Sequence, residues 1–154
     1  MPQSTGSLKY SLQGSEIPVE EVFTRISIAT PYMELIEEFT LLEQLRFHFS
    51  LKPARNGMNE MEILEKISLA HAKDKYISNF SSGMKQRVKL ALAFFSEADI
   101  LFLDEPGTNL DSQSFDWYLR NLEQLIRKCL VVIASNQPSE YPFNAQKIDI
   151  MSFK

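Results

Sequence analysis

The sequence predicts an α/β fold: a mainly parallel sheet flanked by helices, with an all-helical block between strand-containing stretches. Three observations lead there. Ile100-Leu101-Phe102-Leu103 is a short apolar run lying between two amphipathic stretches. Leu130-Val131-Val132-Ile133-Ala134 is a second run, rich in β-branched residues. Residues 40 to 77 carry their apolar side chains at helical spacing only. Strands alternating with helices of several turns imply βα crossovers, and crossovers imply parallel pairing.

Taken in order, Leu8, Tyr10 and Leu12 alternate with polar residues and predict a half-exposed strand after Gly6. Ile26 and Ile28 predict a second strand that must stop before Pro31. Thr40 followed by Glu43 is a capping-box pattern, and Leu41, Leu42, Leu45 and Phe49 continue it as a helix ended by Lys52-Pro53. Asn59 with Glu62 repeats the start signal for a helix carrying Met61, Ile63, Leu64 and Ile67. After Ser81 a helix should run to about Glu97, with Met84, Val88, Ala91, Leu92 and Phe95 on one face. The strand 100–104 follows, then a loop with Pro106 and Gly107, then a helix over 112–127 capped by Asp111. The run 130–134 reads as a strand covered on both faces. A final strand is expected over Lys147 to Met151.

Composition narrows the class. The 154 residues suit one domain with a real core, and 44% apolar with 23% charged residues is ordinary for a globular chain. A net charge of −4 gives no support for binding nucleic acid or an anionic membrane. The longest apolar runs, Leu90 to Phe95 and Leu130 to Ala134, are too short to span a bilayer. The opening residues are polar, so no secretory signal is expected. The single Cys129 has no internal partner and reads as a small buried hydrophobe in a reducing, cytoplasmic setting.

Two groups of residues carry chemistry. Asp104 and Glu105 stand at the carboxyl end of a parallel strand, where open α/β sheets bind ligands. The first acid can hold magnesium; the second, turned toward the cleft, can orient or deprotonate an attacking water. Ser81-Ser82-Gly83 opens a helix whose free N–H groups and positive dipole end suit a phosphate, and Gly83 permits close backbone approach.

The order of these groups resembles the ATP-binding cassette ATPases over essentially the whole chain. In that likeness Phe80-Ser81-Ser82-Gly83-Met84 matches the signature motif and Leu101 to Asp104 the Walker B strand. Glu105 matches the catalytic glutamate and Asn109-Leu110-Asp111 the D-loop. The resemblance implies a P-loop NTPase-type sheet, ATP and magnesium as cofactors, and work in head-to-tail pairs. Ser81, Ser82, Gly83 and Met84 would then face the γ-phosphate carried by the partner subunit. Asp104 would help hold magnesium, Glu105 would polarise water, and Asp111 would link the two sites. It divides the chain into residues 1–39, a remnant of the amino-terminal strand region and Q-loop; 40–77, the helical subdomain; and 78–154, the signature helix, Walker B strand, D-loop and last core strands. Thr5-Gly6-Ser7-Leu8 resembles the strand entered soon after the phosphate-loop helix.

Three family elements are missing or changed. No G-x-x-x-x-G-K-[ST] loop occurs, so the chain reads as the C-terminal part of a longer cassette lacking its first strand and phosphate loop. Pro31 stands where the family places a magnesium-contacting Gln. Asn136 stands in place of the switch His; it can donate a hydrogen bond but cannot carry positive charge. The run 130–134, without its family neighbour, should have an open edge and favour aggregation. His48 and His71 read as surface or packing residues.

The expected function is the ATP-binding and ATP-hydrolysing subunit of a transporter at the inner face of the membrane, inactive as an isolated fragment. Its partners would be a second ATPase subunit and a transmembrane permease, met through aromatics such as Tyr32 and Phe47. The alternatives are a soluble cassette ATPase and a non-catalytic module that keeps the fold.

Overall fold

The structure is a computed structural model that describes residues 9–12 and 14–153. The stretch Thr5 to Leu8 lies outside the described residues. Strands β1 (Tyr10–Leu12) and β2 (Ser15–Ile17) form an antiparallel hairpin turned at Gly14, whose φ of 85° is left-handed. A short helix α1 (Val22–Arg25) leads into β3 (Ile26–Ala29), which stops before Pro31 as its sequence requires. Helices α2 (Leu41–Leu51) and α3 (Glu60–Lys66) follow, each opened by a complete capping box, Thr40 with Glu43 and Asn59 with Glu62. Helix α4 (Ser82–Phe95) then leads to β4 (Ile100–Asp104), and α5 (Ser112–Leu125) to β5 (Leu130–Ala134).

The main sheet has the order β3-β4-β5 and is parallel throughout. Its register aligns Ala29, Leu103 and Ile133 in one row and Ile28, Phe102 and Val132 in the next. Successive side chains point to opposite faces, so the two rows belong to different faces. The first row is packed into the core; the second is open, with Ile28 at 49% and Val132 at 42% exposure.

That openness corrects one expectation. Leu130–Ala134 is apolar on both sides, yet Leu130, Val132 and Ala134 are exposed while only Val131 and Ile133 pack toward the core. The core built by α4 and α5 meets only that side of β5. A second correction concerns Lys147 to Met151. Ile148 and Ile150 alternate as a strand would, but the Asp149 side chain accepts the Met151 N–H at 2.9 Å and turns the backbone into a 3-10 helix over Ile150–Phe153.

Helix α4 is buried nearly all round, more widely than a single amphipathic face would give: Leu90, Ala93 and Phe94 are buried along with Val88, Ala91, Leu92 and Phe95. It packs against β3 and α5 within one contiguous core. Phe94 stacks on Tyr118 of α5 at a centroid distance of 6.0 Å, and each fully buried aliphatic such as Leu64 or Leu101 contributes about 1.5–3 kcal/mol relative to exposure. Among the described residues no helix is long and apolar enough to cross a membrane.

At the far end of α4, His48 Nε2 lies 2.8 Å from the Ser96 hydroxyl, which itself donates to the Leu92 carbonyl. Burial, and then the Lys52 ammonium, hold the His48 pKa below its ordinary value. The unfolded chain therefore takes up this proton first, so stability is full above about pH 6.5 and falls as pH drops through that value. The urea midpoint should be lower at about pH 5.5 than at about pH 7.5, and His48→Gln should flatten that slope. An unchanged slope in the variant would clear His48 of the effect.

Candidate functional site

The parallel ladder ends where the candidate acids begin. Asp104 is the last residue of β4, paired in register with Ala134 and half-buried. The Glu105 amide adds one more bond, donating to the Ala134 carbonyl at 2.9 Å. The backbone then turns over: Glu105 has a φ of 43°, a left-handed conformation that costs a non-glycine residue about 1 kcal/mol or more. This reversal takes the chain out of the sheet plane at the carboxyl end of β4.

What holds Glu105 there comes from the loop after β5. Its Oε1 accepts the Asn136 backbone N–H at 3.2 Å and the Asn136 Nδ2 at 3.3 Å. Two donors from one residue orient the carboxylate and keep one oxygen occupied, leaving Oε2 without a partner in this pair. Glu105 and Asn136, singled out separately in the sequence, are thus brought into contact.

The loop continues as a tight series of turns. Thr108 N–H donates to the Glu105 carbonyl at 3.2 Å and Leu110 N–H to the Gly107 carbonyl at 3.1 Å. Asn109 sits at φ 63°, a conformation Asn tolerates better than most residues. Asp111 then caps α5, its Oδ1 accepting the Ser114 N–H at 2.7 Å. Hydrogen bonds from Ser114, and then the Arg87 guanidinium, hold the Asp111 carboxyl below its usual range. Arg87 reaches across from α4: one terminal nitrogen donates to the Ser114 hydroxyl and lies 3.9 Å from Asp111 Oδ2, the other donates to the Ile67 carbonyl at 3.2 Å.

The amino terminus of α4 packs against this loop. Ser81 is the N-cap, accepting the Met84 N–H on its hydroxyl at 3.2 Å, and both Ser81 and Ser82 are exposed. Met84 is half-buried. Gly83 packs directly on the acidic loop: a Cβ there would lie 2.7 Å from the Asn109 carbonyl oxygen. One turn on, the buried Gln86 donates to the Pro106 carbonyl at 3.0 Å. The signature-like helix start and the loop behind the acids are therefore one packed unit. No hydrogen bond joins Asp104 to Ser81, whose hydroxyl is engaged by the Met84 N–H.

The sequence alone assigned no contact to Gln86, Arg87, Gly107 or Glu140. The first two lie on the helix beside predicted residues and their polar character in a buried stretch was the available signal. Nothing local marks Glu140. The loop after β3, where Pro31 stands, is tied to α4 by Lys89 donating to the Pro31 carbonyl at 2.7 Å and by a Lys85–Glu37 ion pair.

Comparison with known proteins gives a consistent likeness. The family model described as ABC transporter matches residues 3–108. The sulfate/thiosulfate import ATP-binding protein CysA of Escherichia coli is 30% identical over 138 residues, 83% of this chain and 38% of that protein. ABC transporter A family member 1 of Dictyostelium discoideum is 28% identical over 132 residues, 83% of this chain and 15% of that protein. The chain thus spans less than half the length of either relative. Among solved structures, a Pyrococcus furiosus chain described as an ABC transporter ATP-binding protein superposes with a TM-score of 0.66 at 26% identity, over 82% of this chain and 62% of that one. A dimeric ATP-binding cassette bound to ADP and phosphate shares the fold at a TM-score of 0.66 and 20% identity, over 84% of this chain and 62% of the other.

The Gly83 contact yields a test. Ala is the better helix former by about 1 kcal/mol, but its methyl would meet main-chain oxygen that cannot swing aside. Gly83→Ala should lower the urea-unfolding free energy by about 1–3 kcal/mol and displace the 105–111 loop amides in NMR spectra. The exposed neighbour Ser82→Ala should stay within about 0.5 kcal/mol of the parent. Equal stability for both variants would contradict the close approach.

Proposed function

The chain belongs to the ABC transporter ATP-binding family, and from that premise we propose that in a head-to-tail pair it supplies the acidic loop of one composite ATP site and the signature helix of the other. The observation that carries this reading is Glu105 itself. It is an acid at the carboxyl end of a parallel strand, held in a left-handed backbone and oriented by Asn136. Such backbone strain is kept where the surrounding structure imposes it and a position has to be held.

The residues present fit the metal and terminal-phosphate side of such a site. Asp104 is a hard oxygen donor of the kind magnesium takes, and the capped start of α4 exposes Ser81 and Ser82. The chain has no phosphate loop to cradle the remaining phosphates, so that grip has to come from elsewhere. When bound, the magnesium–nucleotide complex supplies the electrophilic phosphorus and charge neutralisation. Within that arrangement Glu105 Oε2 is the atom that orients the attacking water and takes up its proton, while Asn136 keeps Oε1 in place. Ser81 and Ser82 hydroxyls and the N–H groups of the first turn of α4 bind the terminal phosphate of a nucleotide held by a second subunit. Asp111, at the start of α5 and beside Arg87, links the two sites of the pair.

Dimerisation and coupling follow the same reading. One solved neighbour is a dimer with ADP and phosphate, and one relative is an import ATP-binding protein. We place the chain in a head-to-tail pair of ATPase subunits at the inner face of a membrane. The permease would meet the side that carries Tyr32, 88% exposed, and Phe47. The helical subdomain would comprise residues 40–77, flanked by the 1–39 and 78–154 segments. A second reading, a non-catalytic module, is favoured by Pro31 and Asn136 standing at the family's Gln and His positions.

Two measurements separate these. Titrating the 154-residue chain with magnesium–ATP should give little or no heat of binding; micromolar affinity would show that the phosphate contacts lie within this chain after all. In a longer polypeptide that joins this sequence to a phosphate loop, Glu105→Gln should abolish turnover, keep ATP binding and stabilise the dimer. Undiminished hydrolysis by that variant would take Glu105 out of the mechanism and favour another base.

A further inference from the structure

Glu140 is the one acid among the described residues that is fully buried, at 0% exposure. It lies in the 3-10 turn Pro138–Glu140, in the segment that leaves β5 and also carries Asn136. Its Oε1 accepts the Gly107 backbone N–H at 3.0 Å, and its main-chain carbonyl accepts the Tyr118 hydroxyl. Burial, and then the Glu140 charge, push the Tyr118 phenol up, so it remains a donor. Oε2 is buried and has no hydrogen-bond partner among the described residues.

Simple packing does not explain an acid here. A buried carboxyl with one oxygen unpartnered is a costly way to fill space, and an apolar side chain of similar size would be cheaper. The opposing residue is matched to it. A Cβ at Gly107 would lie 2.4 Å from Glu140 Oε1 and 2.8 Å from Phe115 Cε2, so only glycine lets the acceptor reach that amide. Gly107 is two residues beyond Glu105, in the middle of the loop that ends at Asp111.

The other restraints on this loop act elsewhere along it. Gln86 holds the Pro106 carbonyl, Gly83 abuts the Asn109 carbonyl, and Asn136 grips the Glu105 side chain. Glu140 alone among these takes a main-chain N–H of the loop. The segment 136–140 thus clasps the loop twice, at the Glu105 carboxylate and at the Gly107 amide.

We propose that Glu140 is a positioning residue: through the Gly107 amide it sets the course of the 105–111 loop and hence the aim of Glu105 and the place of Asp111. Its purpose rests on the ATP-site reading above, but its test does not. Amide exchange of the full 154-residue chain, followed residue by residue by NMR, is the experiment. In the parent chain the Gly107 amide should be protected well beyond a solvated loop amide; exchange at the rate of an open loop would overturn the proposal before any variant is made. Glu140→Ala removes the acceptor but keeps the main-chain carbonyl, and should raise exchange at Gly107 about tenfold or more while shifting the Asn136 amide signals. Glu140→Gln keeps an acceptor oxygen and should restore both. Tyr118→Phe cuts the other anchor of the same turn and should leave the Gly107 amide protected.

If Tyr118→Phe frees Gly107 as much as Glu140→Ala does, or if Glu140→Gln fails to rescue, the role is general packing and the proposal falls. Neither readout uses nucleotide. Absence of ATP turnover in any longer form would sink the functional reading while leaving this result in place.

Discussion

The bond from the Glu105 amide to the Ala134 carbonyl is the last rung of the β4–β5 ladder, and the candidate site is assembled where that ladder stops. Parallel pairing brings the carboxyl ends of both strands to the same edge. The loop after β4 and the loop after β5 therefore emerge side by side. Asn136 can reach Glu105, and Glu140 can reach Gly107, only because the strands beneath them run in the same direction and register. An antiparallel β5 would have delivered these residues to the opposite end of the sheet.

Helix α4 supplies the second constraint. Its amino terminus presents Ser81, Ser82 and Gly83 beside the acidic loop, and its last turn runs into Ser96 and the His48 contact. Between these ends it is buried almost completely, which fixes its position and axis. Arg87, midway, donates both to the Ile67 carbonyl after α3 and to Ser114 at the start of α5. One guanidinium thereby joins the end of α3 to the start of α5 and to Asp111.

The elements, and the helix caps among the candidate residues, were legible because their causes are local. Thr40 with Glu43, Asn59 with Glu62, Ser81 with Met84, and Asp111 with Ser114 each close within three residues, so the pattern and the bond are nearly the same information. Two errors have different causes. Lys147 to Met151 alternates like a strand, but an Asp149 turn competes with pairing and wins. Leu130–Ala134 is apolar on both faces, and hydropathy alone does not tell whether anything covers each face. Glu140 escaped notice since a single Glu after Pro-Ser carries no periodic signal; its importance lies in a partner thirty-three positions away.

By itself the amino-acid order determined the α/β class, the helix starts with their serine and aspartate caps, and the strands of the parallel sheet. Those features depend on hydrogen bonds and side-chain spacing that reach only a turn or a pleat along the chain. Tertiary structure alone decided which face of the sheet is open, that Glu105 takes a left-handed backbone, and that Asn136, Gln86, Gly83 and Glu140 converge on one loop. These contacts join residues far apart in sequence, and they exist only once strand register and the burial of α4 have set the distances between them.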